Sequence, residues 1–529
     1  MAIQFPNRSN CSCCVNRRGF LAAGCTACAA SLAPAALLSM ASAEETSNGP
    51  ASDRPRVRLV FACHAVKQNR ATWPHLGYDF TAQMEYVKSS LKKLCPEVEL
   101  LPVLAHGADD AKKLLAADRA DRIDGYVVYQ LNNWVDAMQP IVASGVPTIV
   151  ADFLFGGSGG VPCFTAGLAR SHKNFSVVAS SNIEDLARAV QCFGRLKSGG
   201  TTADFVAACG RLRREHTPSP TGESCKGDPL PKADVGRCLE AMKRSKLIVV
   251  GGAMSGGLGA KAREIMGIEV VETDFAEIKA AHEKADRDEA HAMAARWKAE
   301  ARSIAIDDVD GTLEKSARNC LAQQAILKRH QADAIAINCL GGFYGGHLQG
   351  YPCLGFVELL NAGLIGACEG DIESSVTMIA MKHLIGRPGF ISDPVLDTAR
   401  RQIIYAHCVA TTKPFGPSGP ANPYEILTHS EDRRGAAVRS FLPTGYMTTT
   451  LKFNLGRREL LCHRARSVEN LTEDRACRTK LACEVIGDME KLFTFWDQFG
   501  WHRVTYYGDL WEPAKELAAA LGVKFVAEA

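Results

Sequence analysis

From Arg56 onward, short apolar bursts alternate with amphipathic stretches. VRLVFACHA, DGYVVYQL and VPTIVADF are rich in β-branched residues and too short for helices, so each predicts a buried strand. Between them, MEYVKSSLKKL and DAKKLLAADRA carry apolar residues at helical spacing. This alternation predicts a parallel, doubly wound sheet over residues 55–213. REHTPSPTGESCKGDPLPKAD (Arg214 to Asp234) is polar and proline-bearing, and reads as a linker. The rhythm resumes with SKLIVVGG, IEVVETDF, the polar helix around HEKADRDEAHAMAARWKAE, and ADAIAINCL. A second α/β unit is therefore expected over 235–395. Beyond it, RQIIYAHCVATTK, YEILTHS and YMTTTLKFN are short, contain threonine and are separated by Gly, Pro and Asn turns. They predict a β-rich, barrel-like antiparallel unit over 396–529.

Length agrees with three units, since 529 residues exceed what one core organises at about 150 residues per domain. A net charge of +3, without basic blocks or an aromatic-interleaved Lys/Arg stripe, argues against nucleic acid as a partner and leaves small molecules. Five of the twenty cysteines fall in the first 28 residues, and the other fifteen form no C-x-x-C pair. They read as small buried hydrophobes rather than a disulfide framework. The spacing of Cys339, His347, Cys353 and His407 fits no common zinc knuckle. GGAMSGGLG, after LIVV, lacks the third glycine of a dinucleotide fingerprint and reads as a tight strand–helix turn.

Residues 1–43 have the form of an export signal: Arg17 and Arg18, the apolar run LAAGCTACAASLAPAALLSM, and Ala41-Ser42-Ala43 as a small-residue cleavage site. NRRGFL resembles a twin-arginine signal, which implies a folded, periplasmic destination, with the cytoplasm as the alternative.

The stretch CEGDIESSVTMIAMKHLIGRPGFISD sets acids where two apolar segments end. If GLIGAC and GFISD are neighbouring parallel strands joined by the helix ESSVTMIAMKHLI, their C-terminal ends share one sheet edge. Glu369 and Asp393 then lie side by side where open α/β sheets bind ligands. Two carboxylates so placed either share a hard divalent ion or cap nearby loops, and position alone does not choose. Asp371 and Glu373 read as acids of the helix N-terminus.

Three segments in order, ACEGD with its helix and Asp393, AINCLGGFYGGHLQGYPCLGF, and WHRVTYYGD, resemble the L-fucose isomerase and L-arabinose isomerase superfamily over about Ala332 to Ala529. The resemblance implies aldose–ketose isomerisation of a pentose or 6-deoxyhexose through an enediol. It also implies Mn²⁺ or another divalent ion held by Glu369, Asp393 and His502, with Glu369 and Asp393 moving protons. It further implies a homo-oligomer in which Trp73 or Trp134 reaches a neighbour's site, and a β-rich roof that brings His407 and His429 near the sugar. The rival expectation is an exported sugar-binding protein, for which two α/β units form a clamp and no acid–acid–histidine set is required.

Overall fold

The computed structural model describes residues 54–222 and 224–529; the export signal expected over 1–43 lies outside them. Five parallel strands form the first sheet: β1 (Arg56–Ala62), β2 (Glu99–Ala105), β3 (Gly125–Gln130), β4 (Thr148–Asp152) and β5 (Phe175–Val178), in the order β2-β1-β3-β4-β5. The second sheet is also parallel. It contains β6 (Lys246–Val250), β7 (Glu269–Thr273), β9 (Ala334–Ile337) and β10 (Ile365–Ala367), in the order β10-β9-β6-β7. The two-residue strand β8 (Ile304–Ala305) leaves this unit to pair with β13 (Tyr424–Leu427), beside β14 (Ala437–Ser440). The segment between the sheets has neither helix nor strand from 217 to 234 among its described residues, and it is laid on the barrel through the Lys226 N–H to Gly445 O bond of 2.8 Å.

The third unit is a closed barrel. Strands β11 (Phe390–Asp397), β12 (Gln402–His407), β15 (Met447–Asn454), β16 (Glu459–Asn470), β17 (Thr479–Ile486) and β18 (Arg503–Tyr507) run in the order β15-β18-β11-β12-β17-β16, and β16 pairs back onto β15. Closure leaves no open edge among these six strands. The short β19 (Lys524–Ala527) adds to β16 in parallel. No helix among the described residues is long and apolar enough to cross a membrane. All fifteen described cysteines are free thiols, and all but Cys225 are buried.

One expectation is overturned. GFISD is not a parallel neighbour of the strand holding GLIGAC: β10 pairs only with β9, whereas β11 pairs antiparallel with β12 and β18 inside the barrel. Nor does the strand stop at Asp393, since it continues through Pro394 to Asp397. The proline is tolerated because β18 partners only Phe390–Ser392, so at Pro394 the strand has a ladder neighbour on one side alone. The helix Ile372–Ile385 therefore leads out of one sheet into another, and the right-handed crossover rule, which governs strands of a single sheet, does not apply.

The C-terminus is fastened from inside. The carboxylate of Glu528 accepts from Arg503 Nη2 at 2.8 Å and lies 2.7 Å from His463 Nδ1, and all three side chains are fully buried. Burial alone would raise this carboxyl, but the Arg503 charge and the His463 bond outweigh it and hold it at about 2. A folded value below the ordinary 4.5 stabilises the fold above that pH, and the contribution drains away as pH falls toward 2. It is on the order of 3 kcal/mol. Glu528→Gln is expected to lower the urea midpoint at pH 7 and to flatten its decline between pH 5 and 2.5. A variant whose acid limb overlays the wild type would contradict this.

Candidate functional site

Glu369 follows β10 in a two-residue left-handed turn, with φ +58° at Glu369 and +63° at Gly370. A side chain at Gly370 would bring Cβ to 2.7 Å from Gly252 O, so only glycine fits there. The same turn accepts the Met254 N–H on Gly370 O at 3.1 Å, so the glycine loop after β6, which joins that strand to the helix Leu258–Met266 as its sequence predicts, also braces the turn. A non-glycine residue held left-handed costs about 1–3 kcal/mol, a strain that clusters at functional positions.

Asp371 caps the helix Ile372–Ile385 by accepting the Ser374 N–H at 2.9 Å. It has two further partners that its reading as an N-terminal acid does not include. Its Oδ2 lies 2.7 Å from Lys452 Nζ on β15 and 2.9 Å from His502 Nδ1. Burial would raise this carboxyl, but the Lys452 charge and the His502 bond hold it well below the usual range.

His502, just before β18, is 1% exposed. With Nδ1 held by Asp371, its Nε2 makes no hydrogen bond and stands 3.6 Å from Asp393 Oδ1 and 4.0 Å from Glu369 Oε1. The three residues singled out from the sequence therefore converge, by a route different from the one expected: Glu369 from the C-terminal edge of the second sheet, Asp393 from the barrel wall. His407 closes the group from β12, one residue beyond Ala406, the partner of Asp393. Donor atoms of Asp393, His407 and His502 lie within 4.8 Å of one another, as do those of Cys368, Glu369 and His407. A buried, unbonded imidazole nitrogen facing two carboxylates, with its other nitrogen fixed by a third, offers the donor types that a divalent ion takes and an outer support that would orient them. These residues fit such an ion.

His429 also lines the pocket in front of these groups, together with Phe343, Glu431, Cys408 and Cys477. Burial would lower His429, but its 3.0 Å bond to Asp432 Oδ1 outweighs that and lifts it to about 9, so it is an imidazolium at neutral pH. Glu431, 2% exposed, accepts from Tyr344 Oη at 2.9 Å, and its carbonyl takes the Leu76 N–H at 2.7 Å. The loop after β1 thus touches the rim of this pocket within one chain.

The predicted tryptophans sit elsewhere. Trp73 is 1% exposed, in a core with Leu154 and Phe155. Trp134, left-handed at φ +61°, packs on Trp501 at 5.1 Å and Phe164 at 5.6 Å. Trp501 in turn lies 5.6 Å from His502, so Trp134 backs the histidine through one intervening ring. Of the zinc set dismissed above, Cys353 and His407 line the pocket, while His347 stacks on Phe275. The sequence reading missed Glu431 and the pocket thiols. Glu431 follows His429 by two residues in a short polar loop whose pattern marks nothing more than a turn.

No family model matches this chain. What the chain is similar to is a group of sugar isomerases. The sulfoquinovose isomerases of Priestia aryabhattai and Priestia megaterium are each 26% identical to it over 226 residues, 41% of this chain and 50% of theirs. That of Alkalicoccus urumqiensis is 25% identical over 114 residues, 21% of this chain and 26% of its own. The chain spans about half the length of the curated Priestia relatives.

Proposed function

We propose that this protein is a divalent-metal aldose–ketose isomerase acting on an uncharged pentose or 6-deoxyhexose. One observation carries the reading: the unbonded Nε2 of His502 faces Asp393 and Glu369 in a buried pocket. Glu369, Asp393 and His502 would hold the ion, with Mn²⁺ the first choice for an oxygen-rich set, and His407 stands within reach as a further ligand. The ion, when bound, supplies Lewis-acid polarisation of the sugar's carbonyl and hydroxyl oxygens.

The chain supplies the rest. Glu369 and Asp393 are the carboxylates placed to take the proton from C2 of the open-chain sugar and return it to C1 through an enediol. The His429 imidazolium is a fixed donor for a sugar oxygen that gains negative charge, and Asp432 keeps it protonated. Asp371 fixes the His502 tautomer so that Nε2 is the nitrogen presented inward. Phe343 offers an apolar face to the sugar's C–H surface.

The name of the relatives, sulfoquinovose isomerases, favours a second reading, a sulfonated sugar. The pocket lining argues for the uncharged one. It contains no Lys or Arg among the described residues, it carries Glu369, Asp393 and Glu431, and its one cation, His429, is matched by Asp432. With added Mn²⁺, ketose formation is expected from pentoses or 6-deoxyhexoses, with a 6-sulfonated aldose at least tenfold poorer in kcat/KM. The reverse order would transfer the assignment to sulfonates. Binding of sugar that is indifferent to chelation, with no ketose formed, would support the sugar-binding rival.

Location belongs to the same proposal. A folded, metal-loaded enzyme suits the twin-arginine route, because loading then happens before the chain meets competing ions outside. Arg17→Lys combined with Arg18→Lys is expected to strand active, metal-loaded precursor in the cytoplasm on fractionation. Undiminished export of that variant would discard the route.

A further inference from the structure

The wall of the acid pocket is rich in sulfur. Cys353, Cys368, Cys408 and Cys477 all line it, beside Glu369 and His407. No step of the isomerisation uses these thiols. Burial alone makes a cysteine a small hydrophobe, but one of the four has different company. Among the described residues, Cys368 is the one thiol that joins two other ligating groups: its sulfur, a Glu369 carboxylate oxygen and a His407 ring nitrogen all lie within 4.8 Å of one another. All three residues are buried, and all three face the same pocket.

The chain holds this sulfur in place. Cys368 follows β10, and Cys339 follows the neighbouring strand β9, at the start of the short helix Cys339–Tyr344. Their sulfurs meet across the two strand ends at 2.8 Å. Cys339 stands behind the pocket lining, so its bond supports Cys368 from outside the donor set, as an outer partner supports a metal ligand. A further nitrogen is at hand beside the set, since the buried, unbonded Nε2 of His502 stands 4.0 Å from Glu369 Oε1.

The mixture of donors selects the ion. Manganese and magnesium favour oxygen and gain little from a thiolate, whereas the softest ions favour sulfur and gain little from a carboxylate. Zinc takes cysteine, histidine and carboxylate ligands alike.

We propose that Cys368, Glu369 and His407 form a zinc-selective set overlapping the manganese set, and that Zn²⁺ held there shuts the isomerase site by taking Glu369 and His407 from it. The sulfur–zinc bond forms as the thiol proton passes to solvent. The inhibition rests on the isomerase reading; the binding rests on the donor atoms alone.

The test uses the full chain, stripped of metal by a chelator. With equimolar Zn²⁺, X-ray absorption is expected to show a sulfur neighbour at about 2.3 Å, beside nitrogen and oxygen at about 2.0–2.2 Å. Co²⁺ in its place should give a sulfur-to-cobalt charge-transfer band in the near ultraviolet. Cys368→Ser should abolish the sulfur shell and the band, and Cys408→Ser should keep both. The loss of this ligand should weaken Zn²⁺ binding by at least the roughly 10- to 100-fold that losing an outer partner costs, with Mn²⁺ affinity unchanged. Excess Mn²⁺ should restore ketose formation in Cys368→Ser at a Zn²⁺ level that still silences the wild type. A zinc shell of nitrogen and oxygen alone in the wild type, a measurement that needs no variant, would overturn the set. So would a band that survives in folded Cys368→Ser. Neither spectroscopic readout involves sugar, so sulfur-bound zinc in a chain that forms no ketose would uphold the set and sink the isomerase reading instead.

Discussion

Glu369→Gln is expected to lower ketose formation by about 10³-fold while leaving the fold unchanged. The substitution keeps the side chain's size and removes its charge, so it would impair both the proposed ligand set and one proposed proton carrier. Positioned acid–base groups contribute about 10²–10⁴-fold, and metal loss adds to that. Turnover with any pentose or 6-deoxyhexose, melting temperature and metal content by mass spectrometry check it. Wild-type turnover would remove Glu369 from the chemistry. A companion variant separates strain from function. At φ +58° glycine is at ease where glutamate is not, so Glu369→Gly is expected to be inactive yet no less stable than the wild type. Such a result would identify the left-handed turn as strain retained for the site, an ordinary trade between activity and stability.

The way these groups assemble also explains what the sequence could reveal. Strand–helix alternation exposes both parallel sheets because their central strands are buried on two faces and read as short apolar runs, as in YVVY and LIVV. The barrel is legible as threonine-bearing strands between turns, but its strand order is not, because antiparallel pairing lets Phe390–Asp397 choose partners far along the chain. The neighbour relation that the sequence suggests for Glu369 and Asp393 does not exist, and it is the resemblance to the isomerase superfamily, not strand order, that singles them out. They converge because β10 ends against the barrel whose wall contains β11. Asp371 was visible only as a helix cap, since nothing near it in sequence announces Lys452 or His502, 81 and 131 residues away. Long-range partners of buried charge are fixed by tertiary packing and leave no local pattern.

That same triad yields the second large effect. Asp371→Asn should retain the cap, because an amide oxygen can still accept the Ser374 N–H, yet it withdraws the charge that two neighbours share. Lys452 is 2% exposed and would be left buried with only the Ser374 hydroxyl, a loss of about 3–5 kcal/mol. Metal affinity should fall about 10- to 100-fold as His502 loses the anion that orients it. The two losses come from different partners and can be separated. Replacing the ammonium with an apolar side chain of similar length, in Asp371→Asn with Lys452→Met, removes the unpaired charge. It is expected to recover most of the stability and none of the metal affinity. Urea midpoints report the first quantity, and chelator competition reports the second. If the double variant regained both, Asp371 would serve the site only through Lys452; if it regained neither, the buried ammonium would not be what Asp371 neutralises.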